Sequence, residues 1–390
     1  MEQAAQHYDY IIAGAGAAGL SLLCYLLEEP ALRQKKILLL DREKKQTNDR
    51  TWCFWQVEEG PFESCLKHQW QHLHFYSEGF SSLLDISPYR YKMLESAAFY
   101  SFCLNKASAA ANVTLVEDEI LDISPDGAVQ GKKAIYTGAY VFNSVKFKIP
   151  ERGHYHHLLQ HFKGYFIKTN EDAFNPEAPT LMDFRVAQHQ DCRFVYVLPF
   201  NKREALVEYT GFSPAPLQQE QYDDELTHYL EHYLQHSEYE ITRTEYGVIP
   251  MTNAPFRTSE SDQVINIGTA GGATKASTGY TFSFIQRQCA AIAHNLAAGK
   301  TPLHQLAASR GKYKLYDSIF LRVLSEKEYP AWKVFEAMFS KLPAATILKF
   351  LNEDSTLLED LQVMRSVDKG TFASAAAKEL YLTFKRVLPK

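Results

Sequence analysis

The sequence lacks closely spaced cysteines, an excess of basic residues and a basic N-terminus, and each absence excludes a class of protein. Its six cysteines lie far apart with no C-x-x-C pair, which argues against a disulfide framework and against a cysteine zinc site. We therefore expect reduced thiols in an intracellular protein. The 41 Lys and Arg against 46 Asp and Glu leave a net charge of -5, so nucleic acid is not an expected partner. The first ten residues carry no Lys or Arg, and we predict no secretory signal.

An apolar stretch at residues 10–27 is nearly long enough to cross a bilayer. It contains Gly14, Gly16 and Gly19, at the spacing G-x-G-x-x-G. We interpret the stretch as a strand, a turn and a helix, and predict no transmembrane segment. A second apolar run at residues 37–40 completes a βαβ unit and ends at Asp41.

This arrangement is typical of a dinucleotide-binding unit. Gly14 permits the tight turn, Gly16 lets a pyrophosphate approach the backbone, and Gly19 lets the helix pack closely on the strand. The N-terminus of the helix offers free N–H groups to the phosphates. Asp41 is placed to accept hydrogen bonds from a ribose.

The rest of the chain predicts an α/β (α+β) fold in three parts. Residues 1–150 and 245–300 are expected to form a discontinuous Rossmann-like dinucleotide-binding domain, with helices at 91–109 and 280–298. Residues 151–244 show short β-type runs, typical of an antiparallel substrate domain, and a helix at 220–236. Residues 301–390 read as a helical C-terminal region, in which Thr356 opens a capping box.

Six short motifs resemble those of the lycopene cyclase family, within the flavoproteins that join a Rossmann-type FAD-binding domain to a β-sheet substrate domain. The matches follow the family's order over about residues 8 to 290. They are residues 48–55 (NDRTWCFW), 181–183 (LMD), 192–199 (CRFVYVLP), 206–210 (LVEYT), 245–250 (EYGVIP) and 278–280 (TGY).

Two departures from the family pattern concern the site. Family members often carry two adjacent carboxylates in the acidic signature, whereas Tyr209 follows Glu208 here. Many related FAD proteins have Gly-Asp before the helix that contacts the flavin, and this chain has Gly268 and Thr269.

The resemblance implies an acid-initiated cyclisation of the acyclic end groups of lycopene to β-ionone rings, with no net redox change. Glu208, with its pKa raised by desolvation, is then the expected proton donor. FAD would act in its reduced form, with NAD(P)H as the electron source. The expected FAD contacts are Gly14, Gly16, Gly19, Asp41, Arg50, Gly268, Gly271, Gly272 and Gly279. The expected pocket residues are Trp52, Trp55, Asp183, Tyr196, Tyr209, Glu245 and Tyr280.

Each assignment has an alternative. Glu208 in an alternating strand would commonly face solvent, the tryptophans would commonly be core residues, and Asp183 and Glu245 would serve as turn caps or supporting hydrogen-bond partners. The alternatives for the whole protein are a redox flavoenzyme of the same architecture, such as a hydroxylase or prenyl-chain reductase, and a carotenoid- or flavin-binding protein without catalysis. A histidine cluster at His154, His156, His157 and His161 lacks another ligand type, so we predict no metal site; His157 and His161 would share a helix face.

A lipophilic carotenoid substrate implies a cytoplasmic enzyme that lies on the inner face of a membrane without crossing it. The helices between residues 330 and 350 are candidates for that surface, with Trp332, Phe335, Met338, Phe339 and Leu342 at helical spacing. A core face is the other interpretation of that pattern. The sequence leaves the oligomeric state open.

Overall fold

A computed structural model describes residues 6–147, 155–235, 238–306 and 311–387. The strands are β1 (Gln6–Ala13), β2 (Ile37–Asp41), β3 (Thr51–Gln56), β4 (Leu66–Trp70), β5 (His72–Tyr76), β6 (Ser81–Asp85), β7 (Arg90–Glu95), β8 (Val113–Glu117), β9 (Ile120–Ile123), β10 (Ala128–Gly131), β11 (Ile135–Asn143), β12 (His157–Thr169), β13 (Thr180–Asp183), β14 (Cys192–Pro199), β15 (Glu204–Ser213), β16 (Tyr239–Thr252) and β17 (Val264–Asn266). The helices are α1 (Ala17–Glu28), α2 (Ser96–Ser108), α3 (Gln219–His232), α4 (Phe282–Ala297), α5 (Gly311–Glu326), α6 (Ala331–Lys341), α7 (Ala344–Leu351), α8 (Leu357–Ser366) and α9 (Lys369–Val387).

The first sheet is built around β1. Strands β8, β2, β1, β11 and β17 run parallel, and the antiparallel β10 and β9 extend the β11 side. Ile11 and Ile12 are both fully buried, because helices and strands cover both faces of β1. Helices α1, α2 and α4 share one apolar core on this sheet. The predicted βαβ unit is therefore present.

The second sheet has the order β16-β12-β15-β14-β13-β5-β6 and is mostly antiparallel. Successive side chains along its strands point to opposite faces of the sheet. One face packs on α3, and the other packs on α6, α7 and the small sheet β3-β7-β4. In β15, for example, Leu206 and Phe212 belong to the second of these cores, whereas Val207 and Tyr209 belong to the core under α3. This alternation decides which side chains share the site.

Some elements differ from the predicted ones. Residues 91–95 form a strand before α2, because Tyr91 pairs with Trp55 in the small sheet. Strands β5, β6 and β16 belong to the second sheet, although the predicted domain boundaries assign residues 72–85 and 245–252 to the dinucleotide-binding part. The division into domains at those boundaries stays a prediction. The capping box at Thr356 is confirmed, as is the mixed α/β class.

The apolar side of α6 lies in the core. Phe335, Met338 and Phe339 are buried, and Phe335 and Phe339 stack near Phe184 and Phe75 of the second sheet. The pattern that suggested a membrane surface at α6 therefore marks a core face, while Trp332 and Leu342 are half-buried at its edge. Along the described part of the chain, no helix is both long and apolar enough to span a membrane.

Candidate functional site

The first glycine turn forms a cradle at the carboxyl end of β1. Gly14 has a φ of 105°, and a side chain there would lie 2.3 Å from Ser144 Oγ. A side chain at Gly19 would lie 1.9 Å from the carbonyl oxygen of Gly14, so this glycine lets α1 pack on the turn. A Cβ added at Gly16 would meet nothing within 4 Å, so the backbone of this glycine is open to a ligand.

The donors at this turn suit an anionic ligand. Helix α1 begins with no side-chain cap and no acid in its first turn, so its first N–H groups are available. Asp41 Oδ2 accepts a 2.6 Å hydrogen bond from the N–H of Ala15, which fixes the end of β2 against the turn. The cradle and its donors fit the diphosphate of a dinucleotide such as FAD.

The second glycine segment lies beside the first. A side chain at Gly268 would lie 2.6 Å from Ala18 Cβ, so the turn after β17 rests on the start of α1. Gly268, Gly272 and Gly279 all have φ near 60–75°, and a side chain at Gly279 would lie 1.8 Å from Gln160 Oε1. Gly271 is held close to the Asn266 carbonyl in the same turn. The exposed Arg50 donates a hydrogen bond to the Asp49 carbonyl oxygen.

The predicted acid belongs to a row of residues that crosses four strands of the second sheet. Tyr196 pairs with Glu208, Glu208 with Gly164, and Gly164 with Glu245. Paired residues point to the same face, and strands lie about 4.8 Å apart, so about 10 Å separates the backbones of the two glutamates. Because Gly164 has no side chain, a gap lies above it between the two glutamates, and Leu206 Cδ1 and the Glu208 side chain border that gap closely.

Strand β3 covers this row. Thr51 Oγ1 donates a 2.6 Å hydrogen bond to Glu245 Oε2, and Cys53 and Trp55 follow on the same side of the strand. The ring of Trp55 makes an edge contact with Tyr280 at 4.6 Å, and the Tyr280 hydroxyl lies 3.5 Å from that of Tyr196. A small cavity of about 10 Å³ lies beside this wall, lined by Cys53, Phe54, Trp55, Tyr280, Thr281, Phe282, Ser283, Phe284 and Asn352, and neither Glu208 nor Glu245 lines it.

Burial controls the protonation of the two carboxyl groups. Desolvation raises the pKa of Glu208 well above its usual value, and the neighbouring Glu245 raises it further, while a 3.2 Å hydrogen bond from Thr210 opposes the rise. Desolvation also raises the pKa of Glu245, although Thr51 and Arg243 favour its anion. Desolvation and the neighbouring Glu245 therefore both favour the protonated form of Glu208, which is a half-buried residue.

Aromatic hydroxyls complete the wall of the site. Burial raises the pKa of Tyr280 to about 12, and the pKa of Tyr91 and Tyr196 rises as well. These phenols are neutral at physiological pH. Tyr91, which interacts with Cys53 and Tyr280, was missed because residues 91–95 were predicted as helix.

Three predicted pocket residues are not brought together with Glu208. Tyr209 points to the opposite face and packs near Tyr222 of α3. Asp183 is fully buried on that same side, where it pairs with Arg185 and accepts a 2.8 Å hydrogen bond from Tyr229. Trp52 alternates with Trp55 and packs in the core of the first sheet, next to Phe99 and Phe282.

The histidines separate along β12 and its surroundings. His156 pairs with Glu379 at 2.7 Å, and the buried His161 lies between the hydroxyls of Tyr222 and Ser213. His157 and His161 lie on a strand and not on the predicted helix, and His154 falls outside the described residues. In the described ranges, no group of three His, Cys, Asp or Glu is placed to hold a metal ion.

Three solved structures share this fold. A geranylgeranyl bacteriochlorophyll reductase-like protein from Thermoplasma acidophilum has 11% sequence identity and a TM-score of 0.69, covering 97% of this chain and 99% of its own. A flavin-dependent brominase has 12% identity and a TM-score of 0.59, with 89% and 94% covered. A probable FAD-dependent monooxygenase from Pseudomonas aeruginosa has 13% identity and a TM-score of 0.55, with 95% and 99% covered. The Rossmann-type flavoprotein fold is thus confirmed.

Two sequence matches identify the family. A lycopene beta-cyclase from Pseudescherichia vulneris is 26% identical over 198 residues, which span 48% of this chain and 50% of that protein, or about half the length of the relative. The family model described as lycopene cyclase protein matches residues 9–378, nearly the whole chain. The chain therefore belongs to the lycopene cyclase family.

Proposed function

We propose that this protein is an FAD-dependent lycopene β-cyclase, which closes the acyclic end groups of lycopene to β-ionone rings without net redox change. The observation that carries the proposal is the pair Glu208 and Glu245, which face each other across Gly164 under an aromatic wall. A desolvated carboxyl group that stays protonated is the acid that such a reaction needs.

Glu208 begins the reaction by protonating the terminal double bond of the substrate. The tertiary cation that forms is attacked by the next double bond, which closes the six-membered ring. Loss of a ring proton then forms the new double bond, and one of the two carboxylates accepts that proton. The site ends with the single proton with which it began, so atoms and charge balance. A positioned acid of this kind contributes about 10²–10⁴ in rate.

The wall around the gap stabilises the cation. Trp55, Tyr196 and Tyr280 present aromatic rings on the side of Glu208, and a ring face stabilises a cation by about 0.5–2 kcal/mol. The phenols remain neutral at physiological pH, so their dipoles can stabilise the cation. A phenolate would instead react with the cation to form an ether. Burial also excludes water, which would otherwise capture the cation as an alcohol.

The residues that would hold FAD are those of the two glycine segments. Gly14, Gly16 and Gly19 would receive the diphosphate at the start of α1, Asp41 the ribose, and Gly268, Gly271, Gly272 and Gly279 the region nearer the flavin ring. Reduced FAD, when bound, supplies negative charge near the developing cation, with NAD(P)H as the source of its electrons. Arg50 is proposed as a contact to the phosphate or ribose.

The test is expression in a lycopene-accumulating bacterial host, followed by chromatography of the pigments. The wild-type chain should convert lycopene to cyclic carotenoids, and Glu208→Gln should bind flavin but leave lycopene unchanged. Glu204→Gln, on the same strand, is the matched control and should cyclise normally. Cyclisation by Glu208→Gln would refute the acid assignment. Consumption of NAD(P)H in proportion to product would show a redox enzyme instead.

A further inference from the structure

Helix α8 carries an apolar stripe that the rest of the described protein does not cover. Leu357 is 67% exposed, Leu358 75%, Leu361 46% and Met364 38%. At about 100° per residue, these four side chains fall within an arc of about 120°. The opposite face, with Asp360, Val363 and Ser366, is buried against the C-terminal helices.

The stripe lies beside the candidate site. Trp55 Nε1 donates a 3.0 Å hydrogen bond to the carbonyl oxygen of Leu348 in α7, and Asn352 after α7 lines the cavity that contains Trp55. Helix α8 begins at Leu357, one short turn further along the chain. The stripe therefore begins five residues along the chain from Asn352, which lines the cavity.

The charges around the stripe favour an anionic partner. Both acids of α8 are neutralised within the protein, because Glu359 pairs with Lys349 at 2.8 Å and the buried Asp360 pairs with Lys312 at 2.7 Å. The C-terminal end of α8 carries more positive than negative charge. Arg365 and Lys369 are exposed, and Lys341 donates a 2.6 Å hydrogen bond to the Ser366 carbonyl, whereas Asp368 is the one exposed acid among residues 365–369.

We infer that the exposed face of α8 lies in the interface of a lipid bilayer that contains anionic headgroups, with Leu357, Leu358 and Leu361 inserted among the acyl chains. This inference rests on the proposed function, because a long polyene substrate dissolves in the bilayer. The stripe exposes a few hundred Å² at most, which is below the ~800 Å² per partner of a standard protein interface. That small area suits a membrane-surface helix better than a second copy of the chain.

The test is co-sedimentation of the whole protein, without carotenoid, with vesicles of phosphatidylcholine and phosphatidylglycerol. The variant Leu357→Ser/Leu358→Ser should reduce the partition coefficient at least about tenfold, since each inserted leucine contributes apolar burial. The matched control is Leu83→Ser/Leu121→Ser, two leucines that are 52% and 49% exposed elsewhere. It should bind as the wild type does.

Equal vesicle binding by the two double variants would overturn the inference. A wild-type dimer in light scattering that the α8 variant abolishes would also overturn it, since a second copy would then occupy the stripe. With lycopene dispersed in detergent, the α8 variant should cyclise at the wild-type rate. If vesicle binding depends on α8 but neither the wild type nor the α8 variant cyclises lycopene, the proposed function is refuted, whereas the inference that α8 binds the bilayer is not.

Discussion

Replacing Gly164 by alanine tests whether the gap between the two glutamates receives the reacting end group. The added Cβ would lie 2.7 Å from Leu206 Cδ1 and 3.4 Å from Glu208 Cβ, so the leucine side chain must move. Overpacking of this kind costs about 1–3 kcal/mol in the free energy of unfolding. Replacing a strand glycine by alanine raises the free energy of unfolding by about 0.5–1 kcal/mol, because alanine loses less backbone freedom on folding. We expect a net loss of roughly 0–2.5 kcal/mol in the free energy of unfolding and a protein that still folds.

The effect on activity should be larger than the effect on stability. The methyl group would occupy the space that the substrate needs between Glu208 and Glu245. We expect the rate of cyclisation per flavin-loaded molecule to fall by about 10–100-fold, since small displacements of reacting groups cost that much. The assay is chromatography of products from detergent-dispersed lycopene with reduced FAD, normalised to bound flavin.

Gly211→Ala is the matched control on the opposite face of β15. Its Cβ would lie 2.5 Å from His161 Cε1, so the added methyl group is about as crowded as the one at position 164. It lies, however, on the face away from the carboxylates. This variant should lose at least as much stability and keep its activity per folded molecule. If Gly164→Ala cyclises at the wild-type rate, the end group does not enter the gap, and our account of the site is refuted.

Three further predictions concern Glu208, Asp183 and Gly19. Because the folded protein raises the pKa of Glu208 above its ordinary 4.5, the wild type loses stability as pH rises from that value towards the raised pKa; Glu208→Gln removes this loss. In thermal melts the stability gain of Glu208→Gln over the wild type should grow as the pH rises above 4.5 towards the raised pKa of Glu208, and a gain independent of pH would contradict the desolvation argument. Asp183→Asn leaves Arg185 without its carboxylate and should lower the free energy of unfolding by about 3 kcal/mol in urea titrations, with activity per folded molecule retained. Gly19→Ala forces a contact with the Gly14 carbonyl and should abolish flavin binding, which absorbance of the purified protein reports.

The first glycine turn was predictable because local spacing determines it. Gly14, Gly16 and Gly19 have separate tasks in one strand, turn and helix, and the structure gives each glycine the environment that its task requires. The C-terminal helices and the capping box at Thr356 are local features as well. Such features need no knowledge of distant partners.

The pocket was less predictable because strand pairing creates it. Gly164 belongs to no motif, and the motif that contains Thr51 does not indicate what Thr51 contacts; both residues matter because their strands bring them beside Glu208 and Glu245. Strand β7 was read as helix for the same reason: Tyr91 is fixed by pairing with Trp55, which lies 36 residues earlier in the chain. A single sequence records neither pairing.

Strand geometry also explains why the pocket has no fewer carboxylates when a tyrosine, and not a second acid, follows Glu208. Successive residues of a strand point to opposite faces, so only one of two adjacent signature residues can line a given pocket. Tyr209 packs under α3, where a carboxylate would be buried near Asp191 and Glu225. The second carboxylate of the site comes instead from β16, two strands away, where Glu245 shares the face of Glu208 because both pair with Gly164. A second acid in the same strand would have to stand at an even spacing from Glu208; Leu206 and Thr210 occupy the two nearest such positions, and Glu204 lies two residues further away, at the start of the strand.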